Sequence, residues 1–286
     1  MSSSVFFTVI CGSVDDGKST VLGRLLVDTN SIPADTLDHA RTTRRAGSVI
    51  PMGEIDYSLL TDGLESEREQ GITIDVAYRH MYLPSGHRII MSDSPGHEQY
   101  TRNMAVAAAK AHIALLLVDA SRGVRSQTIR HANICGLMGV KNVIVAINKM
   151  DAVGYSQDRF NELAGELDQR LGTLGFDSIE YVPVSGLVGV NVSSLSDQTP
   201  WYQGKSLLDA LNAGADSPAS VDAPLRIPVQ SVIRTADNRG YAGQVMSGTI
   251  KVGQQVQVWP SGAMCTVAAI SSPVSATQYS AGTAVS

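Results

Sequence analysis

Cysteine, aromatic side chains and positive charge are all scarce in this sequence. Its 286 residues include three Cys, four Phe and two Trp. Cys11, Cys135 and Cys265 lie far apart, are odd in number and form no CxxC pair, which argues against a disulfide framework or a thiolate metal knuckle. Reduced thiols in a cytoplasmic protein are the expectation. Lys and Arg total 22 against 27 Asp and Glu, a formal net charge of -5. The broad positive field that holds nucleic acid by its phosphates is missing, so no nucleic-acid partner is expected. Long apolar runs are missing too. Val5–Ile10 and Ile113–Val118 are far shorter than the roughly 20 residues that cross a bilayer. Met1–Ser4 is polar without a basic n-region. Neither a signal segment nor a membrane partner is expected, and the two runs read as buried strands.

Short apolar runs alternate with longer helical patterns. Strands are expected at Val5–Cys11, Ala77–Leu83, Arg88–Ser92, Ile113–Asp119, Val143–Asn148 and Tyr181–Ser185. Helices are expected at Lys18–Val27, Glu98–Lys110, Ser126–Met138, Ser156–Gly172 and Lys205–Ala213. Such alternation predicts an α/β domain with a mostly parallel sheet covered on both faces, over residues 1–214. Residues 215–224 are small, polar and Pro-containing, as a linker is. From Leu225 to Ser286 the texture becomes β-rich: Arg226–Ile233, Tyr241–Ile250, Gln254–Val258 and Cys265–Ile270. That predicts part of an antiparallel β-barrel.

Three motifs carry chemistry. Gly12-Ser-Val-Asp-Asp-Gly17-Lys18-Ser19 follows an expected strand and opens an expected helix, the context a P-loop requires. Its glycines allow backbone N–H groups to surround phosphate oxygens, and the helix N-terminus adds its positive end. Gly12, Ser13, Val14, Asp15, Asp16, Gly17, Lys18, Ser19 and Thr20 are therefore assigned to nucleotide phosphates. Lys18 is placed for the β- and γ-phosphates and the Ser19 hydroxyl for Mg²⁺. Asn148-Lys149-Met150-Asp151 ends the strand Val143–Asn148, where ligands sit in open α/β sheets. A carboxylate at 151 can accept from guanine N1–H and the 2-amino group together, a donor pair adenine lacks. Ser92-Asp93-Ser94-Pro95-Gly96-His97 follows the strand at Arg88. Asp93 suits Mg²⁺ through a water, Gly96 can face the γ-phosphate, and His97 can position the attacking water. Thr73, in Gly71-Ile72-Thr73-Ile74, lies on the intervening stretch and can close over Mg²⁺ when GTP is bound. His131 and Cys135 have helical spacing without further ligands, so no zinc site is read there.

Assembled, these residues resemble the translation-factor class of GTPases, the relatives of elongation factor Tu. More narrowly they resemble the GTPase subunits of bacterial sulfate adenylyltransferase. The narrower likeness rests on Ser13–Thr20, Asp62-Gly63-Leu64, Glu67–Arg79, Pro95–Met104, and Pro200-Trp201-Tyr202 with Gly204 and Ser206-Leu207-Leu208. It extends from residue 5 to about 270. Ser185-Gly186-Leu187 stands where that family usually has Ser-Ala-Leu, and Ser94 replaces a usual Thr. The resemblance implies guanine O6 contacts from backbone amides of 185–187, and an apolar gate of Val14 and Ile72 beside a catalytic His97 and Lys18. It implies GTP with Mg²⁺ held by Ser19, Thr73 and Asp93. It also implies a separate adenylyltransferase (small) subunit, in a heterodimer or larger assembly, that makes adenylyl sulfate and pyrophosphate from ATP and sulfate. The family normally completes a second β-barrel and adds a third. Two alternatives stay open: a GTP-dependent carrier of aminoacyl-tRNA, and a nucleotide binder coupled to nothing.

Overall fold

The computed structural model describes residues 5–43, 51, 53–61, 76–96, 98–215, 223–234, 239–272, 276–280 and 283–286. Residues Phe6–Ala215 form one compact unit, and the other is built on Asp216–Ser286.

In the first unit β1 (Val5–Gly12) leads into α1 (Lys18–Asp28) and α2 (Ala34–Thr42). A 3-10 turn at Tyr57–Leu60 precedes the hairpin of β2 (Ala77–Tyr82) and β3 (Arg88–Asp93). Then follow α3 (Thr101–Ala108), β4 (Ile113–Asp119), α4 (Ser126–Leu137), β5 (Asn142–Asn148), α5 (Gln157–Leu171), β6 (Ser178–Pro183) and α6 (Leu207–Ala215). The sheet order is β2-β3-β1-β4-β5-β6. β1, β4, β5 and β6 are parallel neighbours, and β2 is antiparallel to β3.

β4 shows why its sequence is an unbroken apolar run. Ile113, Leu115 and Leu117 enter one core, with Leu22, Leu25 and Leu26 of α1 and Leu207 and Leu211 of α6. Ala114, Leu116 and Val118 enter the core on the opposite face. There they meet Met104 of α3, Cys135 of α4, and Phe160, Leu163, Leu167 and Leu171 of α5. A strand with period-2 side chains and helices on both faces has no polar side. Each fully buried Leu or Ile contributes about 1.5–3 kcal/mol.

Several expected boundaries are corrected. Glu98–Lys110 is not one helix: a 3-10 turn, Glu98–Tyr100, precedes an α-helix that ends at Ala108. The last helix begins at Leu207, because the Ser206 hydroxyl accepts the Asp209 N–H and so caps it. β6 begins at Ser178 and ends at Pro183, not at Tyr181–Ser185, since its register with Asn142–Ile147 recruits polar Ser178 and Glu180. α2 and the turn at Tyr57–Leu60 were not expected. Only Ala40 of α2 is buried, so the helix carries almost no hydrophobic period.

The second unit is antiparallel. β7 (Val229–Arg234), β8 (Arg239–Gln244) and β13 (Ala284–Val285) form a three-stranded sheet in the order β13-β8-β7. β9 (Thr249–Ile250) pairs with β12 (Tyr279–Ser280), and β10 (Gln255–Val258) with β11 (Ala263–Thr266). The expected strand Arg226–Ile233 starts only after Pro228, which has no N–H to give a ladder. Tyr241–Ile250 divides where Gly248 turns left-handed at φ 69°. Val245, Ile250, Tyr279 and Val285 make a small core, and every β7 residue is exposed. This is a partial antiparallel barrel.

Candidate nucleotide site

The strand-to-helix loop after β1 is held by its own side chains. Gly12 donates its N–H to Nδ1 of His131 at 3.1 Å, and Ser13 donates its N–H to Asp16 Oδ2 at 2.7 Å. Lys18 Nζ donates to the carbonyls of Gly12, at 3.3 Å, and Ser13, at 2.8 Å. Gly17 takes φ 88° and caps α1, and a Cβ there would lie 2.4 Å from Asn148 Nδ2. Only glycine meets both demands. Val14 is half-buried, Asp15 is exposed and left-handed (φ 67°), and Asp15 pairs with Arg122 at 3.2 Å. Ser19 and Thr20 are half-buried in the first turn of α1.

The electrostatics of the loop follow from burial. Burial lowers the pKa of the Lys18 ammonium, opposed by the charges of Asp93 and Asp16. Burial pushes the Asp16 carboxyl up to about 6, against the lowering effects of Lys18 and the Ser13 N–H. His131 is pushed down to about 4 by burial, then by Lys18 and Arg130.

β3 delivers Asp93 and Gly96 to the same loop. Asp93 is buried at the strand end. Ser94 anchors the turn, its N–H and its hydroxyl both donating to the Ile10 carbonyl of β1. The hydroxyl of the Thr-to-Ser replacement is thus in use. A Cβ on Gly96 would lie 2.6 Å from Lys18 Nζ and 3.1 Å from the Val14 nitrogen, so the turn packs directly on the loop. Thr73 and His97 lie outside the described residues.

At the other end of the site, Asn148 Nδ2 donates to the Asp16 carbonyl at 2.8 Å, and Asn148 Oδ1 accepts the Gly186 N–H at 2.9 Å. Lys149, left-handed at φ 61°, turns its ammonium 2.8 Å from Asp119 Oδ2. For Asp119, burial raises the pKa, but hydrogen bonds from Lys149 and Ser121 prevail and the net shift is downward. Asp151 Oδ1 accepts the Ser185 hydroxyl proton. Met150 N–H to the Val184 carbonyl (3.1 Å) and Val184 N–H to the Ile147 carbonyl (2.8 Å) lace the two strand ends together. Leu187 is exposed. Gly186 is buried, and a Cβ there would sit 2.6 Å from Val21 Cγ2 of α1.

The described residues thus bring together the phosphate loop, Asp93, Gly96, the 148–151 motif and the 185–187 loop at one edge of the sheet. Three participants were not read from sequence: Asp119, Val21 and His131. Asp119 had a signal, a lone carboxylate closing an apolar strand. Val21 and His131 had none, since their contacts span 165 and 119 positions of chain.

Residues 3–215 match the family described as elongation factor Tu GTP binding domain. The chain belongs to that family. It carries a GTP-binding domain over those residues. Over 262 residues it is 47% identical to sulfate adenylyltransferase subunit 1 of Bacteroides fragilis (strain YCH46), covering 91% of this chain and 54% of that one. Over 268 residues it is 46% identical to the bifunctional enzyme NodQ of Rhizobium sp. (strain BR816), covering 93% of this chain and 42% of that one. The chain therefore spans about half the length of these curated relatives. Among solved structures it is similar to sup35 complexed with GMPPNP, at TM-score 0.54 and 26% identity, covering 99% of this chain and 63% of that one. It shares its fold with a bacterial selenocysteine-specific elongation factor, at TM-score 0.56 and 24% identity, covering all of this chain and 42% of the other. Among the described residues no helix is long and apolar enough to cross a membrane.

Proposed function

We propose that this chain is the GTP-hydrolysing subunit of a sulfate adenylyltransferase and acts with a separate adenylyltransferase subunit in the cytoplasm. One observation carries the nucleotide part: Asn148 bonds the phosphate loop at Asp16 and the base-side loop at Gly186, making one cleft from two loops. The identity of 47% to a sulfate adenylyltransferase subunit 1 favours the sulfate reading over aminoacyl-tRNA delivery. The proposed division is a GTPase domain over 1–214, a linker over 215–224 whose first residue, Ala215, still closes α6, and a β-domain over 225–286.

In this reading Lys18 and the N–H groups of residues 14–20 hold the phosphates. Lys18 leaves the Gly12 and Ser13 carbonyls to do so, and its charge stabilises the negative charge developing on the transferred phosphoryl oxygens. Asp151, oriented by Ser185, accepts from guanine N1–H and the 2-amino group. The Gly186 N–H is engaged with Asn148, so the adjoining Leu187 N–H is the donor for O6. Lys149, fixed by Asp119, lays its stem beside the base.

The residues present fit Mg²⁺. The Ser19 hydroxyl and the buried Asp93 carboxylate are hard oxygen donors, and the Asp93 charge reaches Lys18, where it opposes the lowering of the ammonium's pKa by burial. Ser19 would hold the ion directly, Asp93 through water, and Thr73 in the GTP state; the ion would neutralise phosphate charge. His97, one residue beyond the Gly96 turn, orients the hydrolytic water.

The test mixes purified chain, ATP, sulfate, GTP and pyrophosphatase, with and without an adenylyltransferase subunit. Adenylyl sulfate is expected only with that subunit and is expected to rise with GTP. Product without the subunit, or no response to GTP, would overturn the coupling. Filter binding of aminoacyl-tRNA with GTP would instead support the carrier reading.

A further inference from the structure

Gly12 is the residue at which β1 becomes the phosphate loop. Its φ of 141° is open to glycine and to almost nothing else, so the backbone there is intrinsically loose. Both of its polar groups are nonetheless taken by side chains: its N–H by His131 Nδ1 at 3.1 Å, its carbonyl by Lys18 Nζ at 3.3 Å. His131 comes from α4, across the sheet face, and is fully buried.

The chemistry of this contact selects one protonation state. An amide N–H only donates, so Nδ1 must be bare. Burial and the neighbouring Lys18 keep the ring neutral, which leaves its proton on Nε2. The Gln127 carboxamide nitrogen lies 2.9 Å from that nitrogen and its oxygen accepts from Arg130 Nη1 at 3.1 Å, so Gln127 becomes an acceptor for the Nε2–H only with its carboxamide turned over. The Gly12 N–H thus selects the tautomer, and the ring in that tautomer holds Gly12.

We propose that His131 is a positioning residue for the phosphate loop: as the Nε2-protonated neutral tautomer it locks the Gly12 amide and so sets the geometry in which Lys18 and the following amides meet the β-phosphate. This rests on nucleotide binding at the loop and is independent of the sulfate partner. A core histidine that only fills space would have no such link to one backbone amide or to one phosphate.

The test uses the full chain with three substitutions. His131→Leu removes the acceptor. His131→Asn keeps an acceptor at the place of Nδ1, whereas His131→Gln moves it out to the place of Nε2. Hydrogen exchange at the Gly12 amide is read without nucleotide, and affinities are read for GDP and GMP. Loss of the acceptor is expected to weaken GDP about tenfold, because a buried N–H is left unpaired. Gly12 exchange should speed by a similar factor. His131→Asn should restore both and His131→Gln should not, while GMP, which lacks the β-phosphate, should bind all forms alike. If the Leu form fails to fold, the carboxamide pair still decides: equal behaviour of Asn and Gln would overturn the proposal, as would equal loss of GMP and GDP. A native chain that binds no GDP would instead remove the nucleotide reading, and Gly12 exchange would still judge the contact.

Discussion

The side-chain oxygen of Asn148 accepts the N–H of Gly186 at 2.9 Å, while the same carboxamide's nitrogen donates to the Asp16 carbonyl at 2.8 Å. One residue thus joins the two loops through both ends of its carboxamide. Asn148→Ala would leave both backbone groups unpaired in buried surroundings, at about 1–3 kcal/mol each. Stability to urea should fall by at least about 2 kcal/mol, and GDP should bind at least about tenfold more weakly. Unchanged GDP affinity would show that the bridge does not organise the site.

Asp151 is aimed by the Ser185 hydroxyl. Hydrogen bonds to a charged group contribute about 1.5–3 kcal/mol. Asp151→Asn should therefore weaken GTP about tenfold or more and shift preference to xanthine nucleotides, whose position 2 is an acceptor. Competition binding of GTP and XTP checks this, and a retained guanine preference would count against the assignment.

The Gly in Ser185-Gly186-Leu187 is required here by its neighbour. An Ala Cβ would stand 2.6 Å from Val21 Cγ2 and 3.4 Å from Val21 Cα. Gly186→Ala should cost about 1–3 kcal/mol through overpacking. Val21→Ala in that background should recover part of the loss, although alone it leaves a void. A double-mutant cycle reads the coupling, and strictly additive effects would refute the contact as the cause.

Asp16 and His131 bias stability with pH in opposite directions. The Asp16 carboxyl is raised from 3.8 to about 6 with Lys18, Asp119 and Arg125 around it. The folded state therefore holds its proton more tightly, and stability falls as pH rises from about 4 to 6. His131 is lowered from 6.5 to about 4 with Lys18 and Arg130 around it, so stability falls as pH drops from 6.5 to about 4. Each amounts to at most about 3 kcal/mol at 1.36 kcal/mol per pH unit. In the native chain the two nearly offset. Asp16→Asn should make the chain acid-labile between pH 6.5 and 4, and His131→Asn should make it gain stability over the same range. Denaturation curves at several pH values decide; variants that parallel the native profile would exclude both assignments.

Much of this protein was readable in order along the chain. The glycine pattern between an apolar strand and a helix, the Asn-Lys-x-Asp motif at a strand end, and the Asp93 turn each depend on neighbours a few residues away. β1, β4 and β5 fell within one residue of expectation, because burial on both faces leaves no polar position to confuse the reading. Less was legible where burial is slight. α2 buries one side chain, and β6 mixes polar and apolar residues, so neither shows a period.

The chain's own sequence determined the two textures, the set of motifs and which of their groups could bear charge, since these follow from backbone preference, side-chain chemistry and local spacing. The tertiary structure decided which residues hold those motifs in place. That His131 of α4 takes the Gly12 N–H, that Asp119 at the end of β4 takes Lys149, and that Gly186 lies against Val21 of α1 all arise from strand order and helix packing. Such contacts join segments brought together only when the sheet forms, so no local pattern of residues encodes them.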